Sequence, residues 1–348
     1  MPPPITEHVA RSPRHTTFYL ACGPQDGPLI VFVHGWPELS ISWRHQLAAF
    51  GALGFRAVAP DMRGYGRSTV HPRHEDYAIE QSTADMIELI DALGRERAIW
   101  VGHDWGTPVV WALAAHHAPR CLGVAGLCVP YMPDGFAPDT LIPLVDRERY
   151  PADQYPAGQW EYQRFYEENF ERAVATFEAD VPATVKALFR RPDPRGASGF
   201  SRLANVRRDG GWFGGAARAP DLPRDHTLLT EEDLTRYASA LQANGFFGPD
   251  AWYMNGAANI AHARRAPDGG RLSMPVLFLH GLHDATCLTV GTRLADPMRA
   301  HCADLHEITL PTGHWMAQEL PEQVNAGLAG WIARRLPQAW PCALPGQG

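Results

Sequence analysis

The sequence predicts an α/β protein with a mostly parallel β-sheet, helices on both faces of the sheet, and a helical segment inserted before the last strands. Three observations support this prediction. Short, nearly continuous apolar runs recur along the chain, helical patterns separate them, and the runs stop between residues 131 and 273 before they resume. Such runs are typical of strands buried on both faces, and their alternation with helices is typical of parallel sheets covered by helices.

The predicted strands each end at a turn that carries glycine, proline or aspartate. They are residues 29–33, 56–59, 98–101, 124–129, 276–279 and 305–310. Between several of them, apolar residues recur at helical spacing. The helices predicted from this spacing are residues 43–53, 79–93 and 105–117.

The strand pattern lapses over residues 131–273, where the sequence predicts helices. The predicted helices are residues 160–178, 235–244 and 250–264. Residues 190–226 are rich in Arg, Gly and Pro, resist a regular assignment, and are expected to shape the entrance of a site. We therefore divide the chain into a core of residues 1–130 and 274–348 and a helical cap domain of residues 131–273. The cap is expected to cover the C-terminal edge of the sheet, where ligands bind in open α/β sheets.

Composition restricts the class of protein. Apolar residues make up 45% of the chain and charged residues 20%, which excludes extensive disorder. With 31 basic and 38 acidic residues, a net charge of −7 and no basic tract, nucleic acid is not expected as a partner. No apolar run approaches the roughly 18 residues of a membrane span, and the N-terminal residues lack a signal-peptide pattern. The six scattered cysteines lack metal-ligand spacing, so we expect reduced thiols, no metal site and a cytoplasmic protein.

The strongest local signal is Gly-His-Asp-Trp-Gly at residues 102–106, between a predicted strand and a predicted helix. Gly102 and Gly106 flank Asp104 where a sharp turn tolerates no bulky side chain. The pattern matches the nucleophile motif Gly-x-Ser-x-Gly with Asp in place of Ser. An ionised aspartate can attack an sp³ carbon without a base and form an alkyl ester, which water must then hydrolyse. A role for Asp104 as a helix cap alone does not explain the two glycines.

Hydrolysis of such an ester needs a base, and His314 follows the last predicted strand. Asp284, after the strand before it, is expected to orient the His314 ring and stabilise its protonated form. Asp134, after residues 124–129, is the alternative acid. The order nucleophile, acid, histidine is that of an α/β-hydrolase triad.

Residues 34–37, His-Gly-Trp-Pro, follow the predicted strand at 29–33. In an α/β-hydrolase, a backbone N–H from this loop and the N–H of the residue after the nucleophile form the oxyanion hole. Here those residues are Trp36 and Trp105. Their N–H groups would stabilise the oxyanion that forms when water attacks the ester, and their side chains are expected to contact substrate.

Together these motifs resemble the α/β-hydrolase superfamily, and specifically its epoxide hydrolase branch. The segments that carry the resemblance are residues 34–38, Gly-His-Asp-Trp-Gly at 102–106, Asp284, and Gly-His-Trp at 313–315. The resemblance extends over about residues 15–335. It implies the α/β-hydrolase fold with a cap, and conversion of a small apolar epoxide and water to a vicinal diol. It implies no cofactor. Oligomeric state is left open, with a homodimer among the alternatives.

The resemblance also implies two cap tyrosines whose hydroxyls bind the epoxide oxygen and act as general acid when the ring opens. The residues around Tyr162 and Tyr253 resemble the two sites, with Tyr166 and Tyr237 as competitors. An alkoxide is a poor leaving group, and two phenol donors would stabilise it as charge develops.

Two other functions remain open from the sequence. A haloalkane dehalogenase shares the motif and the triad, and Trp105 would serve as one halide donor. The second donor is usually an Asn or Trp near the oxyanion loop or the cap, and residues 36–38 lack the Asn. A non-catalytic scaffold that binds a small molecule would not need a complete nucleophile, acid and base. One departure from the epoxide hydrolase pattern is Trp36, where the family usually has Phe, and its larger ring is expected to narrow the pocket.

Overall fold

An eight-stranded sheet lies at the centre of the computed structural model, which describes residues 3–192 and 199–341. The strands in chain order are β1 Thr6–Arg11, β2 Thr16–Cys22, β3 Leu29–Val33, β4 Arg56–Pro60, β5 Ala98–His103, β6 Cys121–Leu127, β7 Leu272–Gly281 and β8 Cys302–Leu310. The described α-helices are α1 Arg44–Ala52, α2 Ile79–Ala92, α3 Gly106–His116, α4 Pro138–Leu141, α5 Glu161–Glu178, α6 Val181–Leu188, α7 Glu231–Asn244, α8 Phe247–Ala251, α9 Gly256–Ala263, α10 Asp296–His301, α11 Met316–Glu319 and α12 Pro321–Arg335.

In space the strands follow the order β1-β2-β4-β3-β5-β6-β7-β8. Strand β2 pairs antiparallel with β1 and β4, and the other neighbours pair in parallel, which confirms the predicted mostly parallel sheet. The carboxyl ends of β3 and β5 lie side by side, because Val33 pairs with Gly102. The chain order reverses between these two strands, which is where open α/β sheets bind ligands.

Helices cover the sheet in two layers, with α1 against α12 and α2 against α3. Every residue of β3 and β5 is buried, as the apolar runs predict. Burial on both faces is wrong for β8, most of which is at least partly exposed, because this edge strand is only partly covered. None of the described helices combines the length and the apolar character that a bilayer span requires.

Between β6 and β7 the described residues form helices and turns but no strand. The single helix predicted at 250–264 is wrong: α8 and α9 are separate, with a 3₁₀ turn and Asn255 between them. The Asn255 amide donates to the carbonyls of His74 and Ala251, so its side chain competes with the helical backbone. Helix α6, which sequence analysis did not predict, begins at an Asp180 cap that accepts a hydrogen bond from Ala183 N–H.

Candidate active site

Asp104 lies at the tight turn between β5 and α3, in the left-handed region of backbone space at φ 47°. A Cβ on Gly102 would lie 2.6 Å from the carbonyl oxygen of Gly106, and a Cβ on Gly106 would lie 2.1 Å from that of Val33. Neither position therefore accepts a larger residue. The strand and the helix therefore approach each other closely at this turn. Asp104 directly follows the last residue of β5, at the carboxyl end of the strand.

The loop after β3 packs directly against this turn. Trp36 N–H donates to Asp104 Oδ1 over 2.7 Å. A Cβ on Gly35 would lie 2.5 Å from Asp104 Oδ1 and 2.6 Å from the Trp105 backbone nitrogen. The structure thus brings both predicted oxyanion-hole residues to the Asp104 carboxyl, with the Trp36 N–H already bound to one of its oxygens.

His314 lies between two carboxylates. Its Nδ1 is 3.0 Å from Asp284 Oδ2, and its Nε2 is 3.4 Å from Asp104 Oδ2. Asp284 is fully buried, and its Oδ1 accepts the backbone N–H groups of Thr286 and Cys287. The three predicted residues therefore form one connected group, and the acid is held by the backbone around it.

Burial alone would lower the pKa of His314, but the carboxylates of Asp284 and Asp104 raise it well above its ordinary value. Burial would raise the pKa of Asp284, yet the adjacent imidazole holds it below its ordinary value. His314 therefore favours its protonated form in this structure.

Two cap tyrosines line the same cavity as Asp104. The cavity has a volume of about 270 Å³ and is lined by Trp36, Asp104, Tyr162, Tyr253 and His314, among other residues. The Tyr162 and Tyr253 ring centroids are 5.6 Å apart. Burial raises the pKa of both phenols well above the ordinary value, so both hydroxyls stay protonated at neutral pH and can donate.

The region that resists assignment in the sequence supplies part of the cavity wall. Its contributions are Arg190, Arg191, Pro192, Leu203 and Trp212, and residues 193–198 lie outside the described part of the chain. Trp212 packs against both Trp36 and Tyr162. The wall is therefore largely aromatic near the carboxylate.

Comparison with known proteins identifies the family. Residues 28–319 match the family model for the alpha/beta hydrolase fold. The chain is 32% identical over 311 residues to epoxide hydrolase A of Mycobacterium tuberculosis, covering 89% of this chain and 92% of that one. This chain belongs to the epoxide hydrolase branch of the α/β-hydrolase superfamily. A crystal structure of epoxide hydrolase A from Mycobacterium thermoresistibile superposes with a TM-score of 0.76 at 29% identity, covering 95% of this chain and 98% of that one.

A second relative of this α/β-hydrolase is longer. The chain is 31% identical over 314 residues to bifunctional epoxide hydrolase 2 of Sus scrofa. The matched region covers 88% of this chain but only 51% of that protein. The chain therefore spans about half the length of that relative. An epoxide hydrolase of Vigna radiata has a TM-score of 0.74 at 27% identity, covering 95% of this chain and 98% of that one.

The alternative residues from the sequence lie elsewhere in this α/β-hydrolase. Asp134 is exposed and pairs with Arg264, so it does not reach His314. The Tyr237 hydroxyl bonds to Ser42. Tyr166 lies behind Tyr253, with nearly parallel rings and centroids 4.4 Å apart.

Sequence analysis assigned no role to Glu38 or His103, which form a buried pair beneath the site. Glu38 Oε2 accepts Gly35 N–H over 2.9 Å and lies 2.7 Å from His103 Nδ1. His103 Nε2 lies 2.7 Å from the His314 carbonyl oxygen. Burial would lower the pKa of His103, but the Glu38 carboxylate raises it well above its ordinary value, so both ring nitrogens donate. This pair ties the Trp36 loop to the His314 loop.

One group of described residues has ligand atoms close enough together for a metal ion, namely His103, Cys128 and His314, within 4.8 Å of one another. Their atoms already have partners. His103 bonds to Glu38 and to the His314 carbonyl, the Cys128 thiol donates to that carbonyl, and the His314 ring faces Asp284. The donor set therefore does not fit a metal.

Proposed function

We propose that this protein is an epoxide hydrolase that converts a small apolar epoxide to a vicinal diol through an alkyl ester on Asp104. The observation that carries the proposal is that Asp104, His314 and the phenols of Tyr162 and Tyr253 line one cavity. The names of the relatives support the same activity. Epoxide hydrolase A of Mycobacterium tuberculosis matches over 92% of its length, so the proposed activity does not require the additional half of the Sus scrofa protein.

The cap and the core each supply part of the proposed reaction. Residues 131–273 form the proposed cap domain, and both phenols come from it. Residues 1–130 and 274–348 form the proposed core, which supplies the carboxylates and His314. A substrate in the cavity between them would be opened from one side by a carboxylate and held from the other by two hydroxyl donors.

In the first step, Asp104 attacks a ring carbon and the bond from that carbon to the epoxide oxygen breaks. The attacking atom is Oδ2, because Oδ1 is held by Trp36 N–H. Tyr162 and Tyr253 stabilise the departing alkoxide, and a phenol proton is transferred to it. The product is an ester of Asp104 with a free hydroxyl on the neighbouring carbon.

Ester formation prepares His314 for the second step. It removes the charge of Asp104, and with it one of the two carboxylates that raise the pKa of His314. His314 can then release its proton, which replaces the one that the phenol gave to the alkoxide. The neutral imidazole, oriented by Asp284, is the form that can act as a base.

In the second step, His314 takes a proton from water, and the hydroxide attacks Cγ of Asp104. The carbonyl oxygen of the ester is Oδ1, so the developing oxyanion already has the Trp36 N–H as a donor, with the Trp105 N–H as the second. Collapse of the intermediate breaks the ester bond. The diol leaves with a proton from the imidazolium. The second proton of the water passes from the Asp104 carboxyl to His314, which restores the carboxylate and the imidazolium.

The haloalkane dehalogenase alternative receives less support from the site. Trp36 Nε1 donates to Asp250 over 2.9 Å, so this indole is not offered to a halide in the cavity. Two tyrosines line the cavity together with the carboxylate instead. A non-catalytic scaffold is also less supported, because it would not require His314 to contact both Asp104 and Asp284.

The test is a side-by-side assay of the purified protein with styrene oxide and with 1,2-dibromoethane, and with Asp104→Asn as the matched control. We expect phenylethanediol from styrene oxide, no bromide release, and no product with the variant. Bromide release without diol would favour the dehalogenase. Tight binding of epoxides without turnover of any epoxide or ester would favour the scaffold.

A further inference from the structure

Trp36 and Asp250 form a contact between the core and the cap. Trp36 stands in the loop after β3, and Asp250 stands in α8 of the cap segment, three residues before Tyr253. Trp36 Nε1 donates to Asp250 Oδ1 over 2.9 Å. The side chain of Asp250 is completely buried. A carboxyl group in such a place needs a reason, because burial without a cation is costly.

Trp36 occupies a central position in the site. Its backbone N–H binds Asp104 Oδ1, and its ring is part of the cavity wall. The same ring packs edge-on against Tyr253, with centroids 6.0 Å apart. A shift of Trp36 as a whole would therefore disturb the oxyanion donor and the packing of the second phenol together.

The other carboxyl oxygen of Asp250, Oδ2, lies near Tyr166, the residue that packs against Tyr253. The Tyr166 hydroxyl lies within interaction range of the Asp250 carboxyl, yet neither this hydroxyl nor Asp250 Oδ2 has a hydrogen bond of standard geometry. The Tyr166 ring stacks on Tyr253 at an interplanar angle of 9°. One hydrogen bond between them would satisfy both orphaned atoms, and where Oδ2 carries a proton it is the donor to the Tyr166 oxygen.

The surroundings favour that protonated form. Burial raises the pKa of Asp250 well above its ordinary value, and the nearby Glu178 carboxylate raises it further, although the Trp36 hydrogen bond and the nearby Tyr166 hydroxyl act in the opposite direction. Among the described residues, the groups that act on Asp250 are an indole, two phenols (Tyr65 and Tyr166) and Glu178, and none of these is a cation. A carboxylic acid, which can accept with one oxygen and donate with the other, fits this place.

We propose that Asp250 is a positioning residue for the reaction: it fixes the Trp36 indole from the cap, and through Trp36 and Tyr166 it aligns the oxyanion donor with Tyr253. Asp250 does not contact the reacting atoms. The kinetic consequence of this inference rests on the proposed function, whereas the Trp36–Asp250 bond itself does not.

The kinetic test is a double-mutant cycle of Trp36→Phe and Asp250→Leu, with Asp250→Asn as the conservative variant. The amide of Asn can accept from the indole and donate to Tyr166 as a neutral acid does. We expect Asp250→Leu to slow ester hydrolysis in single turnovers by ~10-fold or more, because a buried indole donor is left unpaired. Asp250→Asn should be at least ~5-fold faster than Asp250→Leu, and the double variant should be close to Trp36→Phe alone. Equal rates for the Asn and Leu variants, or losses that multiply in the double variant, would overturn the proposal.

The second test does not depend on turnover. In protein with ¹⁵N-labelled indoles, the Trp36 Nε1–H resonance is assigned as the one missing from Trp36→Phe. We expect Asp250→Leu to shift this resonance upfield and speed its hydrogen exchange by ~10-fold or more, and Asp250→Asn to change it much less. An unaltered Trp36 resonance in Asp250→Leu would refute the bond. A shifted resonance in a protein that turns over no epoxide would retain the bond and reject the proposed function. If Asp250→Leu does not fold, Asp250→Asn alone decides, because loss of Trp36 protection there contradicts the proposal.

Discussion

His314 Nε2 lies 3.4 Å from Asp104 Oδ2, the carboxylate oxygen that the Trp36 N–H does not bind. The two oxygens of Asp104 therefore have different surroundings. Oδ1 already has the donor that an oxyanion would need, and Oδ2 lies beside the imidazole. In the proposed mechanism, this asymmetry makes Oδ2 the attacking atom and places the base beside the ester that the attack would form.

Replacement of His314 should separate the two steps. We predict that His314→Gln forms the ester and fails to hydrolyse it, because no base remains to activate water. Intact mass spectrometry after incubation with styrene oxide should show the enzyme plus one substrate mass. The matched control is the double variant that also carries Asp104→Asn, which should show no adduct. An inactive His314→Gln without an adduct would argue against His314 as the base.

The cap phenols should act in the first step. We predict that Tyr162→Phe and Tyr253→Phe each slow ester formation by ~10- to 100-fold, and that the double variant forms almost no ester, since the alkoxide then loses both donors. Rapid-quench single turnovers measure this step directly. Tyr237→Phe is the control, because its hydroxyl bonds to Ser42. Ester formation at the normal rate in the double variant would exclude the phenols as acids.

The acid that orients His314 should be Asp284. We predict that Asp284→Asn lowers kcat by ~100-fold or more, because the amide neither raises the pKa of His314 nor holds the same tautomer. Asp134→Asn is the control and should change kcat less than ~2-fold, since Asp134 is exposed and pairs with Arg264. The reverse order of effects would reinstate Asp134 as the acid.

A buried histidine between core and cap should make the stability pH-dependent. His262 of α9 stacks on His116 of α3, with ring centroids 3.9 Å apart. Burial and the neighbouring His116 lower the pKa of His262 to about 4, against about 6.5 in an unfolded chain. Between these values the unfolded chain binds more protons, so stability is full above pH 6.5 and falls as the pH drops.

We predict that this residue accounts for a loss of about 2 kcal/mol in the free energy of unfolding between pH 7.5 and pH 5. His262→Gln should remove most of that dependence, as measured by urea titration at the two pH values. His306→Gln, an exposed position on β8, should leave it in place. The same pH dependence in both variants would show that His262 is not responsible.

The sequence predicted the structure best where that structure depends on residues close together in the chain. The apolar runs of β3 and β5 and the two glycines around Asp104 are local patterns, and each has one physical explanation. Strand β1 was not assigned because this edge strand is mostly exposed and has no apolar run. The break at Asn255 depends on a hydrogen bond to His74, which lies on a distant part of the chain.

The candidate site shows the same division. Asp104, Asp284 and His314 each follow a strand of one parallel sheet, so their convergence is predictable from strand order. The Trp36–Asp250 bond joins residues 214 positions apart and depends on how the cap packs on the core. The sequence shows an acidic residue, Asp250, just before Tyr253. It does not show that Trp36 is the buried partner of Asp250.

The central claim is that a carboxylate of the enzyme, and not water, opens the epoxide. A single turnover in H₂¹⁸O, with enzyme in excess over styrene oxide, tests it directly. The account predicts one ¹⁸O atom in the peptide that contains Asp104 and an unlabelled diol, because the oxygen transferred to the product comes from the carboxylate. A labelled diol with an unlabelled Asp104 peptide would contradict it.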